Sequence, residues 1–408
     1  RRDSFSGEAA QGPAGWRQRT AMEPRPAFWA GKRVCVTGAG FLGFHLVRQL
    51  QALGAAVRLF TLPLRPDHPL RQDRDVEAVY GDVLDPHAVA RGLAGSEVVI
   101  HTAGLVAGWG PALAKMRAVH VEGTANVLSA AGTACVIHVS SIVAVGAARS
   151  GKVLTENHLF NLDRLAVDYV HAKRAAEQVA IAAGRCGRSV LVVNPAYLVG
   201  PEDHEDSIMG RFCARFWKGR VPLAPPGGFN FVDVRDAARG CLLAAEHGRP
   251  GRRYILGGEN QTLQSFLALL ARAAGFQPRA LPRLPLWMLG ALAYVTEAKA
   301  AASKKEPYPV MQHVRMNGYF WFCRSDRARS ELGYTSRPLS ETLTDTYHWW
   351  RDAGLPSPRG LIAWWLRAGR WSGRLSAGGR LPGPEQISLP GEAEAVLHAD
   401  EPGCRELS

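Results

Sequence analysis

Between Gly31 and about Tyr197, short apolar runs alternate with stretches whose apolar residues recur at helical spacing. Runs at Arg33–Thr37, Ala56–Thr61, Val76–Tyr80, Val98–Thr102, Cys135–Ser140 and Val190–Asn194 read as strands. Helical spacing falls at Phe41–Leu53, His87–Leu93, Leu113–Ala131 and Ala166–Ala183. Several strands are apolar throughout rather than alternating, as suits strands covered on both faces. The alternation predicts an α/β fold, a Rossmann-type doubly wound parallel sheet.

After Pro195 the pattern changes. A helix near Ile208–Lys218 leads to the turn Pro225-Pro-Gly-Gly228, then to short strands at Phe231–Val234 and Arg253–Leu256. Helical patterns dominate from there through Trp350. The chain thus divides into a disordered N-terminal extension (1–30), a Rossmann domain (31–197), a smaller, mostly helical C-terminal substrate domain with some segments returning to the main sheet (198–355), and an arm and disordered tail (356–408). The longest apolar run, Leu284 to Val295, is interrupted by Pro285. It falls short of the ~18 residues of a membrane span and reads as a helix of the second region.

Pro356–Leu381 carries five arginines and no acid, beside Trp364, Trp365 and Trp371. Two readings stay open for it: peripheral membrane contact through 358–371, or an arm that packs on the body or stays disordered. The residues before Met22 are polar and show no apolar stretch resembling a secretory signal. Seven cysteines are scattered without a C-x-x-C pair, which suits reduced thiols and a cytoplasmic setting. The net charge of +13 is spread along the chain rather than blocked, so no nucleic acid partner is expected. No metal site is expected either.

The turn Gly38-Ala39-Gly40-Phe41-Leu42-Gly43 joins the first strand to the first helix, the context in which G-x-G-x-x-G binds a dinucleotide. Gly38 permits the tight turn, Gly40 lets a pyrophosphate approach the backbone, and Gly43 lets helix and strand pack closely. The helix N-terminus at Phe41 and Leu42 meets the phosphates. Downstream, Tyr169 and Lys173 share one helix face behind a strand ending in Ser140-Ser141. An ammonium beside a phenol is expected to lower the phenol's pKa from about 10, making it a proton donor and acceptor for a secondary alcohol or its ketone. A packed tyrosine beside a solvated lysine is the plainer reading, and the glycine turn weighs against it.

Taken together, these residues resemble the extended short-chain dehydrogenase/reductase superfamily over roughly residues 33–353. Within it, the nearest likeness is to the dihydroflavonol-reductase-like, 3β-hydroxysteroid-dehydrogenase-like and hopanoid-associated branch. The resemblance rests on Gly81-Asp82-Val-Leu-Asp85, Val98-Val-Ile-His-Thr-Ala-Gly104, Val121-Glu-Gly-Thr124 and Val139-Ser-Ser141. It extends to Asn194-Pro-Ala-Tyr197, Phe231-Val-Asp-Val-Arg-Asp236 and Tyr254-Ile-Leu-Gly-Gly-Glu-Asn260. It implies Tyr169 as proton donor or acceptor, Lys173 as its partner and ribose ligand, and Ser141 on the substrate oxygen, with Ser140 the neighbouring alternative. Asp82 and Val83 would face the adenine, while Ala103, Gly104 and Pro195 would line the cofactor. The glycine loop is one residue shorter than the superfamily's usual pattern. His120 stands where relatives carry Asn, and is read as a neutral hydrogen-bonding side chain rather than a titrating relay member.

The second strand runs into Thr61-Leu-Pro-Leu-Arg65 with no acid to bind an adenosine ribose. A cation there accommodates a 2′-phosphate. Arg65 is the better candidate than Arg58, and NADP(H) is favoured slightly over NAD(H). The expected activity is hydride transfer between nicotinamide and a secondary alcohol or ketone. The aromatic residues Trp217, Phe229, Trp287, Tyr308, Tyr319, Phe320 and Trp321 lean toward a lipophilic small-molecule substrate. The alternatives are a nucleotide-sugar epimerase or dehydratase with retained NAD, and a non-catalytic NADP-binding regulator. A homodimer through two sheet-flanking helices is what the resemblance implies.

Overall fold

A computed structural model describes residues 21–221, 224–277, 281–282, 285–303 and 307–355. The 358–371 segment lies outside them. Helix α1 (Pro26–Trp29) precedes β1 (Arg33–Thr37), α2 (Phe41–Ala52), β2 (Ala56–Thr61), β3 (Val76–Tyr80), α3 (Pro86–Leu93) and β4 (Val98–His101). Then come α4 (Ala112–Ala130), β5 (Cys135–Val139), α5 (Asp168–Arg185), β6 (Val190–Pro195), β7 (Tyr197–Val199) and α6 (Ile208–Trp217). Beyond these lie β8 (Gly228–Asp233), α7 (Val234–His247), β9 (Arg253–Leu256), β10 (Glu259–Thr262) and α8 (Leu263–Ala273). The described chain ends with α9 (Leu286–Ser303), α10 (Met311–Met316), β11 (Phe320–Trp321), α11 (Asp326–Leu332) and α12 (Leu339–Asp352).

Seven strands form one parallel sheet in the order β3-β2-β1-β4-β5-β6-β9. Alternate residues of each strand face opposite layers. Val36, Leu59, Ile100, Ile137 and Val193 pack with Leu46, Leu50 and Leu242 of α2 and α7. Val99, Val136 and Val192 pack with Val89, Val127 and Ala180 of α3, α4 and α5. Both faces are covered, which is why the strands show no alternation in sequence.

The C-terminal part is mostly helical, with two features that the apolar pattern left unread. Helix α7 fills the gap between the two short strands expected there, capped by Asp233, whose carboxylate accepts the Arg235 N–H at 2.8 Å. A second sheet joins β10, β8 and β11, with β7 pairing β8. These strands are short, and β10 (Glu-Asn-Gln-Thr) is polar, so hydrophobic spacing could not mark it. Apolar packing is continuous between the two parts.

The expected disordered extension needs correcting from residue 21 onward. Trp29 is fully buried and donates its indole N–H to Glu246 at 2.6 Å, while Arg25 pairs with the same carboxylate at 2.9 Å. One large aromatic and one buried acid hold this segment against α7, with Glu23 paired to Arg239 at 2.9 Å.

Asp236 on α7 is 2% exposed and accepts from the Arg337 backbone N–H at 2.7 Å and from its guanidinium at 2.9 Å. This contact ties the segment entering α12 to α7. Arg337 is partly exposed and keeps Asp233 at 3.6 Å, so losing Asp236 removes charge-assisted hydrogen bonds without stranding a buried charge. Asp236→Ala is therefore expected to cost about 1–3 kcal/mol in urea unfolding; a variant as stable as the parent would show that the tie is not structural.

Candidate active site

The strand order reverses between β1 and β4, and the crevice beyond their C-terminal ends is where such sheets bind ligands. The glycine turn sits at this crevice. Gly38 has φ of +87° and donates its N–H to Phe60 O at 2.8 Å. A Cβ on Gly43 would lie 2.0 Å from Gly38 O, so only glycine lets α2 start this close to β1. Gly40 is the N-cap of α2, has no side-chain cap, and faces open space where a Cβ would sit. Unspent amide groups at the head of a helix, with Phe41 and Leu42 in its first turn, suit a diphosphate.

Around this turn the other expected cofactor residues are brought together. Ala103 donates its N–H to Thr37 Oγ1 at 3.2 Å, and its Cα would meet a Gly38 Cβ at 2.9 Å. Gly104 packs against the His120 ring, which a Cβ would meet at 2.7 Å. Asp82 follows β3 and accepts the Leu84 N–H at 3.1 Å, the turn-capping role, while Lys115 reaches its other oxygen at 3.7 Å. Val83 is buried against Gly123, and Pro195 ends β6 beside Leu256. Arg65 stands apart: its guanidinium donates to the His204 carbonyl and lies 3.4 Å from Asp67. Arg58 pairs with Glu77 at 2.9 Å.

Helix α5 places Tyr169 one residue after its start and Lys173 one turn later. Ser141 caps a short 3-10 turn after β5, its hydroxyl accepting the Val143 N–H, and lies close enough to the Tyr169 phenol to lower that group's pKa. Ser140 points elsewhere, donating to Glu177 at 2.7 Å. Lys173 donates to Val139 O at 3.1 Å. The expectation that Lys173 lowers the phenol's pKa is not met. Burial pushes Tyr169 up to about 12, opposed by the nearby Ser141 hydroxyl. Burial likewise pulls Lys173 down to about 8, opposed by the negative charge of Glu177. The two groups are desolvated together, and burial is the larger cause for each.

His120 lies edge-on to Tyr169, ring centroids 5.7 Å apart. Its Nε2 is 2.9 Å from Leu105 O; because a carbonyl only accepts, Nε2 carries the proton. Burial, then the charge of Lys173, holds its pKa down to about 2, so the ring is neutral. His101 bonds Thr37 at 2.7 Å and Thr124 at 3.2 Å, linking β1 and β4 to α4 beneath the crevice.

Two residues near the site escaped the sequence reading. Glu177, fully buried, lies one further turn along from Lys173 and accepts from Ser140, from Asn194 and from Arg253, the last at 3.1 Å. Its signal was the continued four-residue spacing Tyr169, Lys173, Glu177. Tyr197 follows β6, and its hydroxyl is buried with no partner among the described residues. Its ring packs on Phe229 at 4.5 Å, and burial pushes its phenol well up. Of the aromatic residues expected to suit substrate, Trp217 and Trp321 are core side chains, bonded to Leu270 O and Met316 O. Trp287 and Tyr308 are exposed on the surface instead.

Comparison with known proteins places this geometry. The profile of the NAD dependent epimerase/dehydratase family matches residues 34–257. The chain is 32% identical to a putative dihydroflavonol 4-reductase of Synechocystis sp., over 78% of this chain and 94% of that protein. It is 31% identical to sterol demethylase protein B of Methylococcus capsulatus, over 78% and 98%. The crystal structure of gox2253 superposes with a TM-score of 0.69 at 32% identity, covering 80% of this chain and 99% of that one.

Gly43→Ala should force the Gly38 carbonyl out of place and weaken dinucleotide binding by about tenfold or more; unchanged affinity in a fluorescence titration would deny the turn that role. Glu177→Gln keeps an acceptor for Ser140 but removes the charge that supports the Lys173 ammonium. The pKa of Lys173 then falls below its present value of about 8. The limb of any pH–rate profile that follows Lys173 should move to lower pH. A limb that stays in place, with binding intact, would show that Glu177 acts only by packing. Since folding discourages the Lys173 ammonium, the unfolded chain binds more protons between about pH 8 and 10.5, and stability rises with pH across that window.

Proposed function

The chain belongs to the NAD dependent epimerase/dehydratase family, and on that premise we propose that it reduces a ketone on a lipophilic molecule to a secondary alcohol, using NADP(H) in preference to NAD(H). The observation that carries this reading is the gathering of Ser141, Tyr169 and the buried Lys173 next to the glycine turn, with His120 packed between Tyr169 and Gly104. A bound nicotinamide dinucleotide would supply the hydride. Gly38, Gly40 and Gly43, with the head of α2, would hold its diphosphate. Asp82 and Val83 would meet its adenine, Lys173 its ribose, and Ala103, Gly104 and Pro195 would line it.

With its pKa pushed up to about 12, Tyr169 is a protonated phenol at neutral pH and is set to give a proton to the substrate oxygen rather than take one. Ser141 donates to that oxygen as negative charge builds on it. Hydride arrives at the carbonyl carbon and the phenolic proton at its oxygen, which balances the reduction. Lys173 would hold the ribose beside Tyr169, and the phenolate is then reprotonated. The neutral His120 orders the edge of Tyr169 without adding charge.

The substrate class draws support from the flavonoid and sterol names of the two relatives, and from the Tyr197–Phe229 wall beside Tyr169. The preference for NADP(H) draws on charge: β2 ends without a carboxylate at Thr61-Leu62, so no acid there would repel a 2′-phosphate. Titration with NADPH and NADH, followed by nicotinamide fluorescence, tests both the cofactor and the site. Tyr169→Phe should bind NADPH as the parent does while losing about 10²–10⁴-fold in turnover. Turnover that survives the change would refute the role of Tyr169, and tightly retained NAD would favour the epimerase alternative.

A further inference from the structure

The first ten residues of helix α9, Leu286–Val295, are apolar on every side, a composition expected of a buried or membrane-embedded helix. Yet only Ala293 and Ala300 of its 18 residues are buried. Trp287 is 74% exposed and Tyr294 71%, with Met288, Leu292 and Val295 beside them at helical spacing. Among the described residues no helix is long and apolar enough to cross a membrane. An exposed stripe of this kind is an interaction surface.

Charge decides what covers it. The one acid of α9, Glu297, is turned inward and accepts the Met311 N–H of α10 at 2.6 Å. Thr296 is likewise spent on Pro309 O at 2.9 Å. The stripe therefore carries no carboxylate, and Lys299 lies exposed near its end. Basic groups stand around it. Arg215 lies over the exposed Tyr308 ring at 3.8 Å. At the N-terminal end, a Cβ on Gly318 would meet Leu286 at 2.6 Å, and the next residue, Tyr319, lines a cavity of about 340 Å³. Arg149, Arg164 and Arg315 line it too, with no acidic residue among its walls.

We propose that α9 and this arginine-lined cavity form a docking surface for an anionic lipid bilayer. The stripe of Trp287, Met288, Leu292, Tyr294 and Val295 would lie in the interfacial plane, where tryptophan and tyrosine are at home. The three guanidinium groups would take headgroup phosphates or carboxylates. A second copy of the chain fits less well, since it would bring like-charged rims together on a protein of net charge +13. The surface borders the candidate active site: Gln312 of α10 accepts the Asp168 N–H at 3.0 Å and donates to its carboxylate at 2.8 Å, one residue before Tyr169. Docking there would bring the substrate side toward the bilayer, whatever reaction the site performs.

Co-sedimentation of the full chain with vesicles, of phosphatidylcholine alone or with roughly one-third phosphatidylserine, at about 0.15 M salt, tests this. Binding should require phosphatidylserine. Trp287→Ser/Tyr294→Ser should weaken it about tenfold or more, and Arg149→Ala/Arg315→Ala should remove much of its dependence on phosphatidylserine. All these side chains are largely surface groups, and unchanged dinucleotide binding would verify the fold. Because 358–371 is present in every variant, the differences report on α9 and the cavity. The proposal is overturned if the parent does not sediment or if the double variants bind like the parent. It is also overturned if lipid-free sedimentation shows a dimer of the parent that the Trp287→Ser/Tyr294→Ser variant dissolves.

Discussion

Glu177 is a carboxylate with no exposed surface, and the arrangement of the site hangs on how its charge is met. A buried charge is tolerated only when it is paired and hydrogen-bonded. Here the partners come from four directions. Ser140 donates from the end of β5, Asn194 from β6 and Arg253 from β9, while Lys173 feels its charge from the preceding turn of α5. Asn194 also donates to Ser141 O at 3.0 Å, so the same network sets the backbone that carries Ser141. One acid thereby locks three strand ends and the helix bearing Tyr169 and Lys173 into a common register. Local precision at the hydroxyl groups follows from the need to satisfy a charge some distance behind them.

The second requirement is electrical. Burial raises the phenol and lowers the ammonium, so desolvation keeps Tyr169 protonated while pressing Lys173 toward neutrality. Glu177 offsets the second effect without touching the first. His120 fits this scheme, since an imidazole held neutral by its surroundings adds no competing charge beside Tyr169. Around the crevice, the glycine turn and the head of α2 supply unspent backbone donors, with a close approach that only the missing side chain of Gly43 allows.

Much of this was legible in the sequence, for a physical reason. The strands of the main sheet are buried on both sides, so they appear as unbroken apolar runs, and the glycine turn is punctuation that few other contexts explain. Six of the seven parallel strands fall within the Gly31–Tyr197 alternation, and the seventh, β9, coincides with the expected Arg253–Leu256. Polar or short elements were not legible: β10 has no apolar alternation, and α1 is a single turn held by Trp29 and Glu246. Site residues acting through a neighbour were also hidden. Glu177 looks like a surface acid on a helix until its burial is seen, and the direction of the Tyr169 shift depends on desolvation, which no spacing reports. Arg65 illustrates the same limit, since its placement against His204 follows from a loop nearly 140 positions further along the chain.

The most direct measurement is the fate of a labelled hydride. NADPH deuterated at nicotinamide C4 would be incubated with the protein and a set of sterol-like and flavonoid-like ketones, and the products examined by mass spectrometry. Deuterium at the new carbinol carbon of a reduced product, absent with the Tyr169→Phe variant, is the expected result. Label that stays on a dinucleotide which the protein retains, with no reduced product formed, would contradict the reading of this site as a ketone reductase.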